Sequence, residues 1–125
     1  MTPNSEPSIG VLFVVIDVAK HIHEVLIEPP TGGRQRWRMV NCQRDYDMLR
    51  QRLQAFQAPV CIGFEATGTY PRPLAYFLHQ CGFELRLISS LAVAQTREAL
   101  YNSWDKNDPK DTQVLLHLLK TEVTP

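Results

Sequence analysis

Two uninterrupted apolar runs predict the most deeply buried strands of this chain. Residues 11–16 read Val-Leu-Phe-Val-Val-Ile, and residues 60–64 read Val-Cys-Ile-Gly-Phe. Runs of this length without a polar interruption are typical of central strands that are covered on both faces. Each run ends in a carboxylate, Asp17 in the first case and Glu65 in the second. We therefore predict buried strands at 11–16 and at 60–65.

The segment between these two runs predicts two further strands and a helix. Residues 22–28 mix apolar residues with glutamates, which favours a second strand antiparallel to the first. The sequence Pro-Pro-Thr-Gly-Gly at 29–33 is a strong turn signal. Residues 34–41 alternate arginine with other side chains, which predicts a third strand with one basic face. The first three strands are therefore expected to form an antiparallel meander.

The remaining pattern alternates between helical and strand periodicity. Because a helix connects the meander to the strand at 60–65, that strand can pair in parallel with a meander strand. The predicted order of three strands, helix, strand, helix, strand and helices is that of a ribonuclease-H-like α/β fold. Its mixed five-stranded sheet would have helices on both faces. The predicted elements after the meander are helix 43–56, strand 60–65, helix 70–81, strand 83–88, helix 91–101 and a last helix opened by Asp108 and Pro109.

The two strand-terminal carboxylates are the first candidates for a functional site. A carboxylate at the end of a buried strand loses hydration, which is unfavourable without a compensating cation or donor. Neighbouring parallel strands lie about 4.8 Å apart, so Asp17 and Glu65 would converge. Such a pair suggests an oxygen-ligand site for a divalent metal. Asp17 alone could also start a turn, whereas Glu65 is neither a turn former nor common in strands.

Two further carboxylates, Asp108 and Asp111, lie where the last helix is predicted to begin. Asp108 at the N-cap, Pro109 at the first helical position and an acid three residues after the cap resemble a capping box. Asp111 would also interact favourably with the positive end of the helix dipole. On local grounds capping is the favoured explanation, and a ligand role is compatible with it in part.

Basic and polar residues outside the acidic set are candidates for nucleic-acid contact. Six arginines lie between residues 34 and 52 against two aspartates. The side chains of Arg34, Arg36 and Arg38 could track a phosphate backbone, or they could protect an edge strand. Thr67 begins the stretch where backbone N–H groups at a helix start could face a phosphate, although capping explains it equally well. Lys20 could touch a phosphate or be a solvated turn residue.

Composition narrows the class of protein. With 44% hydrophobic and 21% charged residues, the chain has the composition of an ordinary globular domain. Its formal net charge is zero, so nucleic-acid contact must depend on a local patch. The three cysteines lack CxxC spacing, and with four scattered histidines they give no zinc pattern. No signal peptide or membrane span is recognisable, so we expect a cytoplasmic protein with one domain over residues 1–125.

Three motifs in order resemble one protein family, the DEDD transposases of the insertion-sequence-110 type, which are related to Piv-like DNA invertases. The second motif, an acidic residue followed by Ala-Thr-Gly-x-Tyr, is the most specific, and the resemblance covers nearly the whole chain. Thr112, where the family usually has alanine, is a departure that removes no ligand. The motifs are Val15-Ile16-Asp17-Val18-Ala19-Lys20, Gly63-Phe64-Glu65-Ala66-Thr67-Gly68-Thr69-Tyr70 and Lys106-Asn107-Asp108-Pro109-Lys110-Asp111.

The resemblance implies a RuvC-like nuclease domain that carries a catalytic, metal-binding tetrad. The tetrad would consist of Asp17, Glu65, Asp108 and Asp111, with Mg²⁺ or Mn²⁺ as the cofactor. The implied function is metal-dependent phosphodiester cleavage and strand transfer in DNA transposition. The implied partners are DNA and, in the full-length enzyme, a guide RNA, and we also expect a homo-oligomer.

The resemblance further implies a serine on a separate C-terminal domain. Because this sequence ends soon after Asp111, we expect it to lack that domain. The full-length parent would be a transposase, and whether these residues act alone as an enzyme is left open. The alternative is a non-catalytic module, derived from the same domain, that binds nucleic acid or a partner chain.

Overall fold

A computed structural model describes residues 10–66, 72–100 and 110–123 of the chain. Its elements follow the predicted order, and their described bounds lie within two residues of the predicted ones. They are β1 (Leu12–Asp17), β2 (Ile22–Glu28), β3 (Gln35–Val40), α1 (Gln43–Gln54), β4 (Val60–Glu65), α2 (Arg72–Gln80), β5 (Glu84–Ile88), α3 (Ser90–Leu100) and α4 (Lys110–Val123).

The five strands form one mixed sheet in the order β3-β2-β1-β4-β5. The first three strands are antiparallel, while β1 pairs with β4 and β4 with β5 in parallel. The helical connection α1 carries the chain from edge strand β3 across one face, so that β4 can join β1 in parallel. The predicted ribonuclease-H-like arrangement, with Asp17 and Glu65 ending adjacent parallel strands, is confirmed.

The alternation of side chains along β1 divides the core into two layers. Leu12, Val14 and Ile16 are fully buried on one face, where α1 and α2 cover the sheet. Val15 is fully buried on the other face, beneath α3 and α4. Because side chains alternate along a strand, Asp17 lies on the same face as Val15. The predicted helices on both faces are therefore confirmed, and Asp17 lies on the α4 face.

Gly63 on β4 allows α4 to approach the sheet closely. A Cβ atom at this position would come within 3.1 Å of side-chain atoms of both Ile88 and Leu119. Such contacts are tighter than those most side chains make, so even alanine would push Leu119 and α4 away from β4. The glycine therefore helps to fix the distance between the last helix and the carboxyl ends of the central strands.

One difference from the predicted bounds is at the end of the first helix. The first helix ends at Gln54 rather than 56, and Gln57 adopts a left-handed conformation with φ 54°. That turn directs the chain towards Pro59, whose carbonyl accepts a hydrogen bond from the Leu12 N–H at 2.8 Å. The predicted start of the last helix at Asp108 lies outside the described residues. Among the helices that the structure describes, none combines the length and apolar character needed to cross a bilayer.

Candidate active site

The parallel pairing of β1 with β4 brings two of the four predicted carboxylates to the same place. Ile16 is the register partner of Phe64, so Asp17 and Glu65 are the next residues on adjacent strands. Both carboxylates are partly buried and lie at the carboxyl ends of the strands, where ligands commonly bind in open α/β sheets. The sheet therefore places the two acids as the sequence predicts.

Local hydrogen bonds fix the backbone just beyond each of these acids. After β4, the Ala66 N–H donates to the Ile88 carbonyl at 2.8 Å, and the Ser90 hydroxyl donates to the Ala66 carbonyl at 3.2 Å. After β1, the Ala19 N–H donates to Nδ1 of the buried His23 at 3.1 Å. Because that nitrogen accepts, the neutral ring carries its proton on Nε2. These contacts set the direction in which the chain leaves each acid.

Asp111 reaches the same end of the sheet from α4. Its neighbour Thr112 is buried, whereas Asp111 itself is exposed. Arg97 on α3 donates from Nη2 to Oδ1 of Asp111 at 2.5 Å. The packing of α3 against α4 thus brings a guanidinium group to one of the predicted ligands.

Asp17 lies in surroundings that disfavour its ionised form. Burial, and after it the charges of Asp111, Glu65 and Glu24, raise the pKa of Asp17 to about 6, while the Arg97 charge acts in the opposite direction. Such a shift means that the ionised form of Asp17 is disfavoured at this site. An added cation would relieve that cost.

Two residues at this site, Glu24 and Arg97, were not predicted from the sequence. Glu24 is the antiparallel register partner of Asp17, and its carboxylate pairs with Nε of Arg38 at 2.7 Å. The short turn between the first two strands carried a usable signal for Glu24, since it sets the register of the hairpin. Arg97 had no such signal, because its position depends on how two helices pack against the sheet.

The chemistry of the donor set fits a hard divalent cation. Carboxylate oxygens suit Mg²⁺ and Mn²⁺, and the acids at this site come from four different elements. Within the described ranges, no three His, Cys, Asp or Glu side chains form a group that could hold a metal ion. Asp111 is engaged by Arg97, and Asp108 lies outside the described residues. The carboxylates whose charges act on Asp17 are those of Asp111, Glu65 and Glu24. Among the described residues they are not arranged as a metal coordination shell.

The predicted nucleic-acid-binding residues that the structure describes lie in two segments, the turn after β1 and the β3 edge. Lys20 is exposed in the turn after β1, and Thr67 lies outside the described residues. The three arginines are exposed on or beside β3, which is an edge strand. Arg34 pairs with Glu28 at 2.9 Å, Arg38 pairs with Glu24, and Arg36 donates to the Thr112 hydroxyl at 3.3 Å.

Comparison with solved structures supports the fold. The structure of RuvC from Thermus thermophilus aligns with a TM-score of 0.54 at 10% identity, covering 90% of this chain and 96% of that one. YeaZ from Pseudomonas aeruginosa aligns with a TM-score of 0.45 at 17% identity, covering 74% of this chain and 49% of that one. At these identities the RuvC match indicates a shared fold, and the weaker YeaZ match carries no argument.

Sequence comparison gives the family. A search of curated proteins found no match. The family model of DEDD transposases of the insertion-sequence-110 type, described as transposase, matches residues 14–124 and so includes Asp17, Glu65 and Asp111. Because the match spans most of the sequence and agrees with the RuvC-like fold, this chain belongs to the insertion-sequence-110 type of DEDD transposases.

Proposed function

We propose that this chain carries the catalytic domain of a DNA transposase that performs metal-dependent phosphodiester cleavage and strand transfer. The observation that supports this most directly is the position of Asp17 among the carboxylates of Glu65, Glu24 and Asp111. A fold selected for stability alone would rarely leave like charges together at the end of a central strand. A bound divalent cation would offset the repulsion between these carboxylates.

In this proposal Asp17, Glu65, Asp108 and Asp111 hold the metal. When bound, divalent ions would act as Lewis acids on the scissile phosphate and stabilise its attacking and leaving oxygens. Asp17 and Glu65 provide ligands from fixed strand ends, since both follow the paired residues of β1 and β4. Asp111 provides a ligand from α4, which Gly63 allows to lie close to the sheet.

The proposal extends to partners that the family suggests. The substrate would be DNA, a guide RNA would direct the full-length enzyme, and the protein would work as a homo-oligomer in the cytoplasm. The exposed arginines of the β3 edge and Lys20 are candidates for contact with a phosphate backbone, with Thr67 as a further candidate.

A second candidate function is a non-catalytic module that binds nucleic acid or a partner chain. One observation favours it: within the described residues, no group of three side chains could hold a metal ion. The two proposals differ in what they predict for divalent metal binding, so a binding measurement distinguishes them.

The deciding experiment is isothermal titration of the chain with Mg²⁺ and with Mn²⁺, for wild type and for Glu65→Gln. The matched control is Glu84→Gln, because Glu84 pairs with Cys61 at the opposite end of the parallel strands. We expect wild type and Glu84→Gln to bind metal alike, and Glu65→Gln to bind at least tenfold more weakly, about 1.4 kcal/mol. Equal binding by all three proteins, or none by any, would reject the catalytic proposal.

A further inference from the structure

Arg97 occupies a position that none of the predicted roles explains. It lies on α3, and its guanidinium pairs with Asp111 at the start of the described part of α4. Its charge also acts on Asp17, the central acid of the cluster. Among the ion pairs of the described residues, this is the one that includes a proposed metal ligand. It therefore places a positive charge where the proposed site would need a cation.

We propose that Arg97 is a built-in competitor of the divalent metal, pairing with Asp111 in the metal-free state and releasing it when metal binds. This inference rests on the proposed function, because it takes Asp111 to be a ligand. The Oδ1 oxygen that accepts from Arg97 cannot offer the same lone pairs to an ion. A guanidinium that stayed in contact would also repel a divalent cation at short range.

The proposal explains why the acids can lie together without metal. Removing Arg97 would leave Asp111 without this ion-pair partner while its charge still acts on Asp17, so the metal-free protein should become less stable. The same change removes the competitor, so metal should bind more tightly. An ordinary surface ion pair predicts the first effect without the second.

The test compares Arg97→Gln, Arg97→Lys and a matched control, Arg86→Gln. Arg86 pairs with Glu84 at 2.6 Å, and the exposed fractions of that pair, 42% and 51%, are close to the 44% and 54% of Arg97 and Asp111. The measurements are the Mn²⁺ dissociation constant by calorimetry and the metal-free melting temperature. Circular dichroism confirms that each variant is folded.

We expect Arg97→Gln to bind Mn²⁺ about three- to tenfold more tightly than wild type and to melt at a lower temperature without metal. Arg97→Lys keeps the charge but loses the planar guanidinium, so its Mn²⁺ affinity should lie between those of wild type and Arg97→Gln. Arg86→Gln should leave the dissociation constant unchanged. Combining Arg97→Gln with Asp111→Asn should abolish the gain, because the competition acts through that carboxylate.

The outcomes separate this proposal from the one on which it rests. Metal binding that is equal in wild type, Arg97→Gln and Arg97→Lys would overturn the competitor role and leave the metal site standing. Weaker binding by Arg97→Gln would also overturn it and would indicate that Arg97 supports the site. No binding by any of these proteins would overturn both proposals.

Discussion

On the α4 face of the sheet, Glu28 at the β2–β3 edge has two cationic partners, whereas Asp17 at the β1–β4 centre lies among other carboxylates and takes part in no ion pair of the described residues. At the edge, Glu28 pairs with Arg34 at 2.9 Å and with Lys120 at 2.6 Å. At the centre, Asp17 is surrounded by Glu65, Glu24 and Asp111. Glu24 links the two regions, because it pairs with Arg38 while it lies opposite Asp17.

The difference shows what each group of charges contributes. Ion pairs at the edge change the free energy of folding little. Charged side chains there also hinder the open side of edge strand β3 from pairing with another sheet. At the centre Arg97 pairs with Asp111, but Asp17 still lies among several carboxylates that disfavour its ionised form, an arrangement typical of functional sites. The central acids therefore point to binding, and the edge pairs point to structure.

The largest expected effect is stabilisation of the central region by metal. At a Mn²⁺ concentration 100 times the dissociation constant, mass action should stabilise the wild type by about 2.7 kcal/mol. Asp17→Asn removes a central ligand and should lose most of this gain, whereas Glu28→Gln at the edge should retain it. The melting temperature of each variant with and without Mn²⁺ measures its stabilisation by the metal. Equal gains in the two variants would place the metal elsewhere.

The next effect concerns pH and the cost of ionising Asp17. Because burial and the neighbouring acids raise the pKa of Asp17 from 3.8 to about 6, its contribution to stability is present below 3.8 and is lost as the pH rises through 6. The full shift corresponds to about 3 kcal/mol, which we reduce to about 1–2 kcal/mol because the site is partly exposed. Asp17→Asn should therefore be more stable than wild type at pH 7 without metal.

Chemical denaturation at several pH values checks this expectation. The advantage of Asp17→Asn should shrink as the pH falls and vanish below about pH 4, where both states of the wild type are protonated. A variant that is less stable than wild type at pH 7 would show that Asp17 contributes to the fold through contacts and does not oppose it.

The fold could be predicted from the sequence because its signals are local. The apolar run before Asp17 and the run before Glu65 identify central strands, and the intervening helix allows their parallel pairing. The meeting of these two acids then follows from strand order alone. Arg97 could not be predicted, since only the packing of α3 on α4 brings it to Asp111. The roles of the predicted ligands stay predictions, because they depend on a metal and on Asp108, outside the described residues.

At the edge, the carboxylate of Glu28 should stabilise the fold at neutral pH, by less than the carboxylate of Asp17 destabilises it. Burial alone would raise the pKa of Glu28, but hydrogen bonds and charge from Lys120 and Arg34 lower it below 4.5. Its contribution is therefore present above pH 4.5 and is lost as the pH falls through the lowered value. Glu28→Gln should reduce stability by about 1 kcal/mol at pH 7 and by less at pH 3. A pH dependence parallel to that of Asp17→Asn would contradict the distinction between edge and centre.

The smallest effect concerns nucleic-acid binding by the basic edge. Arg34 and Arg38 already pair with carboxylates, whereas Arg36 donates to the neutral hydroxyl of Thr112. A phosphate contact through Arg36 therefore needs no ion pair to break. If the edge binds DNA, Arg36→Gln should weaken binding and reduce the slope of log affinity against log salt by about one. Arg34→Gln and Arg38→Gln should change it less.

Fluorescence anisotropy with a labelled duplex, measured across a salt series, provides the comparison, with Arg86→Gln as the control on β5. Melting temperatures should stay close to wild type, since Arg36 is exposed and its hydrogen bond is long at 3.3 Å. If none of the three β3-edge variants changes the salt slope, the basic residues serve only to protect the edge strand. The difference between the two regions would then be larger, because the charged residues of the β2–β3 edge would have a structural role and only the acids of the β1–β4 centre would bind a ligand.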